Sequence, residues 1–431
     1  MEGQLKSGTV LRSDKGRSYT VNKLLGSGGQ GEVYEVFDGN HKYALKWYFK
    51  NNATPRQKSI LKDLIEHGKP SDSFLWPEDF VKNEESFGYI MGIRPKEYSS
   101  IEDLMACKVN PSFESLIKAC YNLTRGFQIL HGEGYQYRDI SRSNVFFEPE
   151  SGNILICDND NVVPDDEEKG GVLGTQAFMA PEIIRGEALP SRNTDLYSLS
   201  VLLFQLMFTN HPLEGKLEAK IVAMTNNAMN KLYGTNPVFI FDPNDDSNRP
   251  VRGIHDNAIE FARIYPTYLK RTFTTAFTLG LREPVKRVTE REWEKIFASM
   301  VAGILHCQEC GAENFYDPDK EAAGKPLVCW SCKSNVTIPN KLVIGERKIP
   351  ITLDKKIYSD YINDDGDMKT IVADFVQNPK KPNLWGMRNL TKNNWIYIKK
   401  DGTQINVEPG KLGNIVTGVS FDFGNSKGKF E

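Results

Sequence analysis

The stretch Tyr137-Arg138-Asp139-Ile140-Ser141-Arg142-Ser143-Asn144 runs into Val145-Phe146-Phe147, and a turn through Glu148-Pro149-Glu150-Ser151-Gly152-Asn153 leads to Ile154-Leu155-Ile156-Cys157-Asp158. Two short apolar runs around a Pro/Gly/Asn-rich turn predict a tight antiparallel hairpin. Such a hairpin brings its ends together, so Asn144 and Asp158 emerge at the open end, with Asp139 a few residues upstream. A carboxylate beside an amide oxygen suits a hard, oxygen-seeking cation such as Mg²⁺, and a second carboxylate can accept the proton of an attacking hydroxyl. The competing reading is a solvated surface turn, where Asp and Asn are common; the rest of the chain decides between them.

Upstream, three strands are predicted over Thr20 to Leu25, Glu32 to Phe37 and Lys42 to Tyr48, with Gly26-Ser27-Gly28-Gly29-Gln30-Gly31 between the first two. A dinucleotide-binding glycine motif must open a helix, whereas these glycines open a strand. Missing Cβ atoms there let backbone N–H groups approach phosphates. Alternation puts Ala44 and Lys46 on one strand face, so a small residue roofs a base while an ammonium reaches phosphate, and Val33 shares that roof. Helical spacing is predicted from Pro55 to His67, ended by Gly68 and Pro70, and from Ser112 to His131. Ser86 to Ile93 reads as a strand that carries Met91 to the edge of the same pocket.

In this order the segments resemble a protein kinase over roughly residues 10–303, and more narrowly a bacterial eukaryotic-like Ser/Thr kinase. The resemblance implies an ATP- and Mg²⁺-dependent (or Mn²⁺-dependent) enzyme with catalytic residues Asp139 and Lys46. Asn144 and Asp158 would hold the metal. Gly26, Gly28 and Gly31 would cover the phosphates, and Val33, Ala44 and Met91 would border the adenine. A carboxylate on the 55–67 helix should hold Lys46; Glu66 is chosen by spacing, with Asp63 the other candidate. Thr175, before Ala180-Pro181-Glu182, should face Asp139; Asp195, opening the apolar helix Leu196 to Phe208, should brace the catalytic loop; Arg287 should pair with Glu182.

Three departures accompany the likeness. Tyr137 replaces the histidine before Arg-Asp, which should change only packing. Ser141 stands where the family has a phosphoryl-steadying lysine, so that either Arg142 substitutes or transfer is slow, and Asp-Phe-Gly is here Asp158-Asn159-Asp160. The acidic run Asp165-Asp166-Glu167-Glu168 is expected either to stand in for an activating phosphate by pairing with Arg138 or to be a solvated loop. No function is assigned to Phe241 to Pro250.

Cys307-x-x-Cys310 and Cys329-x-x-Cys332 are separated by 18 residues, a zinc-ribbon spacing that supplies four thiolates to a structural Zn²⁺. The remaining cysteines, Cys107, Cys120 and Cys157, are expected to be buried core thiols. From about Lys341 strand-like runs recur between turn signals, which predicts a small sandwich. The pattern from Trp385-Gly386 to Phe423-Gly424 resembles a forkhead-associated domain. That family's phosphothreonine grip, an Arg and a Ser-x-x-His, is not matched here: Arg347 and Ser359 are the nearest residues and no histidine follows, so the tail is read as a protein-binding or packing module.

The expected architecture is therefore α+β: a bilobal kinase fold at 10–303 (small lobe about 10–93, large lobe about 94–303), a zinc ribbon at 304–338 and a forkhead-associated-like β-sandwich at 340–431. The expected partners are ATP, protein substrates and a protein partner of the tail. A net charge of −2 on 431 residues argues against nucleic acid, and the longest apolar run is too short to span a membrane. The first residues lack a signal peptide's apolar segment, and paired Cys-x-x-Cys motifs favour a reducing compartment, so a cytoplasmic location is expected. The alternative function is a nucleotide-binding pseudokinase scaffold that recruits partners through its C-terminal domains.

Overall fold

The computed structural model describes residues 3–165 and 173–431. The chain divides into two compact units: residues 1–111, 122–256 and 274–290 form the first, and 112–121, 257–273 and 291–431 the second. These units do not follow the boundary expected near residue 303.

In the first unit, β1 (Val10–Arg12), β2 (Ser18–Ser27), β3 (Gly31–Asp38), β4 (His41–Tyr48), β5 (Asp79–Lys82) and β6 (Phe87–Met91) form an antiparallel sheet in the order β1-β2-β3-β4-β6-β5. Alternation along β4 sorts its side chains. Leu45 and Trp47 join a core with Tyr34, Val36 and Ile90, while Ala44 and Tyr48 join Tyr89 and Met91 on the opposite face. Lys46 shares the second face and is pulled in with it, 6% exposed.

Helix α1 (Pro55–His67) starts where Thr54 accepts the N–H of Gln57 at 3.1 Å, with Pro55 at the first helical position, and stops at Gly68 in a positive-φ conformation. Leu61 and Leu64 are its buried side. The Phe113–Gly132 helix leads to the central hairpin, whose register is Val145 opposite Ile156 and Phe147 opposite Ile154. Arg192–Phe208 is buried almost all round, which is why its sequence is apolar without an amphipathic stripe. Phe241 to Pro250 contains no regular element, and Asn248 within it is fully buried, donating to the carbonyls of Leu213 and Val238.

The second unit contains the cysteine-rich segment and two antiparallel sheets. The six-stranded sheet is built from Arg347–Pro350, Lys341–Ile344, Lys427–Phe430, Ser420–Asp422, Trp395–Ile398 and Gln404–Val407, in that order. Lys356–Tyr358, Ile371–Asn378, Lys381–Asn389 and Leu412–Ile415 form the four-stranded one. The sheets pack face to face: a Cβ on Gly413 in one would lie 2.3 Å from the Phe421 ring in the other. Three contacts tie these segments to helical residues of the same unit. Glu313 accepts the N–H of Phe113 at 2.6 Å, Asp317 accepts that of Thr267 at 2.8 Å, and the Lys355 ammonium donates to the carbonyls of Val301 and Ile304 at 3.3 and 2.8 Å. The N–H groups of Phe113 and Thr267 and the Val301 carbonyl are among those that a helix end leaves open.

Candidate active site and cysteine centre

The hairpin delivers Asn144 and Asp158 to its open end, and the Cys157 N–H closes that end on the Asn144 carbonyl at 2.8 Å. Asn144 Nδ2 donates to the Asp139 carbonyl at 2.9 Å and to its carboxylate at 3.3 Å. Thr175 donates to the other Asp139 oxygen at 2.8 Å. Burial raises the Asp139 pKa, against the lowering effect of those two hydrogen bonds, and the nearby Asp158 charge adds to the rise.

Asp158 sits in the left-handed region at φ 53° with its side chain 42% exposed. Lys46 Nζ lies 3.1 Å from it and 2.9 Å from Asp160, and Gln30 of the glycine loop accepts from the same ammonium at 3.4 Å. Burial alone would lower the Lys46 pKa, but the Asp160 and Asp158 carboxylates outweigh it and the net direction is up, so the group stays charged.

The glycines fall into two kinds. A Cβ at Gly26 or Gly28 would meet nothing, so the loop leaves open space above the cleft, whereas one at Gly31 would fall 2.2 Å from the Trp47 carbonyl. Gly31 is thus demanded by strand packing. Ala44 pairs with Met91 across β4 and β6, Val33 pairs with Lys46 across β3 and β4, and Val33 packs on the same cluster.

Two expected roles are corrected by the geometry. Glu66 lies exposed near the end of α1 and Asp63 is exposed too; neither is the partner of Lys46, which takes Asp158 and Asp160. Arg142 turns outward, 3.4 Å from Glu102 and 3.8 Å from the Met105 sulfur, while Ser141 is buried against Ser143. The segment preceding the hairpin therefore commits its arginine to Glu102 on the exposed side. Tyr137 does more than pack: it is fully buried edge-on to Phe127 and donates its hydroxyl to the Cys157 carbonyl.

Other expected contacts are present. Asp195 accepts the Tyr137 and Arg138 N–H groups, and Arg287 grips Glu182 at 2.7 and 2.8 Å. Of the acidic run, Asp165 accepts the N–H of Arg192 at 2.6 Å, at the start of the apolar helix; residues 166–168 lie outside the described residues. A missed contributor is His131, buried between Asp195 at 3.2 Å and Glu290. Its place at the end of an amphipathic helix reads as ordinary helix chemistry.

In the second unit the sulfurs of Cys307, Cys310, Cys329 and Cys332 all lie within 4.8 Å of one another. The two Cys-x-x-Cys turns match: Gly311 donates to the Cys307 carbonyl at 2.9 Å and Lys333 to the Cys329 carbonyl at 3.1 Å, both donors at positive φ. Cys307–Cys332 and Cys310–Cys329 are 3.6 and 3.7 Å apart. A tetrahedron with metal–sulfur bonds of about 2.3 Å has edges of about 3.8 Å, so the quartet fits Zn²⁺. The three other cysteines divide. Cys120 is buried and Cys157 half-buried, but Cys107 is exposed, because it turns the chain out of a short helix at φ 55°.

Among known proteins, the protein kinase domain family matches residues 19–265, more than half of the chain. A maize protein named probable serine/threonine-protein kinase CCRP1 is 26% identical over 46% of this chain and 32% of its own length. Protein kinase gsk3 of Schizosaccharomyces pombe is 22% identical over 63% of this chain and 69% of its own, and serine/threonine-protein kinase PknD of Chlamydia pneumoniae is 24% identical over 47% and 25%. The alignments thus span a third or less of the maize and chlamydial proteins. The family match covers the glycine loop, Lys46, Asp139, Asn144 and Asp158 together, and the chain belongs to the protein kinase family.

Proposed function

We propose that the chain transfers the γ-phosphoryl of ATP to a serine or threonine hydroxyl of a protein. The observation that carries this reading is the convergence of Lys46 with Asp158, and of Asn144 and Thr175 with Asp139, on one cleft roofed by Val33, Ala44 and Met91. Asp158 and Asn144 would hold Mg²⁺, a fit supported by the exposed face of Asp158 and by an Asn144 Oδ1 that, among the described residues, takes the Ser143 hydroxyl alone, at 3.3 Å. The metal's contribution is to neutralise phosphate charge. Lys46 orients the phosphates, the glycine loop excludes water above them, and Asp139, aligned by Asn144, accepts the hydroxyl proton. The Thr175 hydroxyl occupies an Asp139 oxygen where a substrate hydroxyl would come.

A second reading, a nucleotide-binding scaffold with little transfer, is favoured by one observation: Arg142 faces Glu102, so that position brings no cation toward Asp139. The cysteine quartet would hold a structural Zn²⁺. The sandwich would bind a protein or pack without reading phosphate, since Arg347 is already paired with Asp360 at 3.3 Å and stacked on Tyr361, and Ser359 donates to Asp365.

Transfer from γ-labelled ATP, with Mg²⁺ and then Mn²⁺, to the chain itself and to a generic basic protein tests the assignment. Label that appears with the native chain and disappears in Asp139→Asn and Asp158→Ala is the expected result. Nucleotide binding without transfer would select the scaffold.

A further inference from the structure

We propose that Asp160 is the positioning residue for Lys46, in the place expected of a carboxylate on α1, and that α1 reaches the pair through Gln57. The inference rests on the kinase reading in taking Lys46 as the group that meets phosphate.

An ammonium that is 6% exposed needs a counter-charge that stays with it. Two carboxylates touch Lys46, and they differ in what else can claim them. Asp158 offers one oxygen at 3.1 Å and is 42% exposed toward the cleft. A cation drawn to Asp158 competes with Lys46 for it. Asp160 has no solvent face: both oxygens lie 2.9–3.0 Å from Lys46 Nζ, and one also receives the Tyr48 hydroxyl. Whatever binds Asp158, Asp160 remains with the lysine.

The backbone around Asp160 is fixed. Asn159, fully buried, donates to the carbonyls of Leu75 and Ile156 at 2.8 and 2.9 Å, so hydrogen bonds pin the turn between Asp158 and Asp160. From α1, Gln57 Nε2 donates to the Asp160 carbonyl at 2.7 Å and contacts the Tyr48 hydroxyl at 3.2 Å. Helix geometry then excludes Glu66. At about 3.6 residues per turn, nine positions amount to two and a half turns, so a helix that faces Gln57 to this cluster faces Glu66 away. The helix thus carries an amide where a carboxylate was expected, and the carboxylate is on the segment after the hairpin. Lys46 is held by a short, pinned turn, and α1 bears on it through Gln57.

An ATP analogue with an acyl group on its terminal phosphate acylates a lysine held against the phosphates, so the rate of acylation at Lys46, read by peptide mass spectrometry on the full chain, reports its placement. In Asp160→Asn the rate should fall at least about tenfold while Mg-ADP affinity changes less than about threefold, and the kinase assay should lose kcat rather than raise KM for ATP. Asp160→Glu should recover part of the loss, and Glu66→Gln should behave as the native chain. Should Asp160→Asn fail to fold, Gln57→Ala should show a smaller fall in the same direction. Native acylation in Asp160→Asn, or loss of it in Glu66→Gln, overturns the assignment while leaving phosphoryl transfer by the native chain intact. A native chain that neither binds Mg-ATP nor is acylated at Lys46 overturns the kinase reading and this inference with it.

Discussion

Asp195 accepts the backbone N–H of Arg138 at 3.0 Å, and Arg138 holds a φ of 72°. A positive φ is costly for a residue that carries a Cβ and persists only where its surroundings fix it. The other Asp195 oxygen takes the Tyr137 N–H at 2.6 Å, so one carboxylate sets two successive peptides directly before Asp139. Asp195→Asn keeps one acceptor and turns an amide N–H₂ toward a donor. It should lose about 1.5–3 kcal/mol in urea denaturation and lower kcat with little change in KM for ATP. An unchanged kcat would mean that the strained loop needs no such anchor.

The same carboxylate meets His131, which links it to Glu290. Burial by itself would lower the His131 pKa, but the hydrogen bonds and charges of Asp195 and Glu290 raise it to about 9. The folded pKa exceeds the unfolded one, so the folded state binds more protons between pH 6.5 and about 9. The stabilisation is complete below pH 6.5 and is lost as pH rises through about 9; it amounts to about 3 kcal/mol at most. Lys355 has the opposite sign: burial, only partly countered by Asp354, depresses its pKa to about 8, so its contribution improves as pH rises from about 8 toward 10.5. Unfolding followed from pH 6 to 10 should show the gap between native chain and His131→Gln closing with pH, and the gap to Lys355→Met moving in the native chain's favour above pH 8. A His131 gap constant across the range would dispose of the charged-imidazole account.

Arg287 is a third buried ion site, bidentate on Glu182 and also donating to the Asn193 carbonyl at 3.0 Å. Removing one partner strands the other's charge, so Arg287→Ala should cost about 3–5 kcal/mol, whereas Arg287→Met combined with Glu182→Leu should cost much less. Chemical denaturation of both variants distinguishes a stranded charge from simple loss of packing, which would make the double variant the worse of the two.

Arg142 supplies a contrary case. Paired with Glu102 on an exposed rim, it should be dispensable: Arg142→Ala should change kcat/KM less than about threefold, because an exposed pair is worth only about 0–1 kcal/mol. A loss near that of Asp139→Asn would show that the side chain swings to the phosphate during turnover.

Local rules made much of this architecture readable. The α1 bounds follow from Thr54, Pro55 and Gly68, and the hairpin register from two three-residue apolar runs around one turn. What could not be read was which carboxylate meets Lys46. Asp63, Glu66, Asp158 and Asp160 are equivalent as residue types, and the choice depends on the rotation of α1 and on where the turn after Ile156 places its side chains. Arg142 is similar, since direction around a short 3-10 turn has no sequence period to reveal it. The compact units escaped for another reason: the contacts Glu313 to Phe113 and Asp317 to Thr267 join residues far apart in the chain, and neither partner carries a local signal.

The cysteine quartet permits a test of metal removal with a built-in reporter. Trp330 lies between Cys329 and Cys332, donates its indole N–H to the Glu313 carbonyl at 2.7 Å and meets the Phe113 ring edge-on at 5.9 Å. A small segment of this kind would draw folding free energy from a bound metal, because four thiols brought within contact distance have little other reason to stay together. A strong chelator should release one Zn²⁺ per chain, measured with a chromogenic dye, and should shift Trp330 emission to the red as the indole leaves its carbonyl. Cys329→Ser, which removes a buried thiol of the quartet, should carry less than one equivalent of zinc and show the shifted emission without chelator. No zinc in the native chain, together with Trp330 emission insensitive to chelator, would mean that the quartet closes on its own hydrogen bonds rather than on a metal.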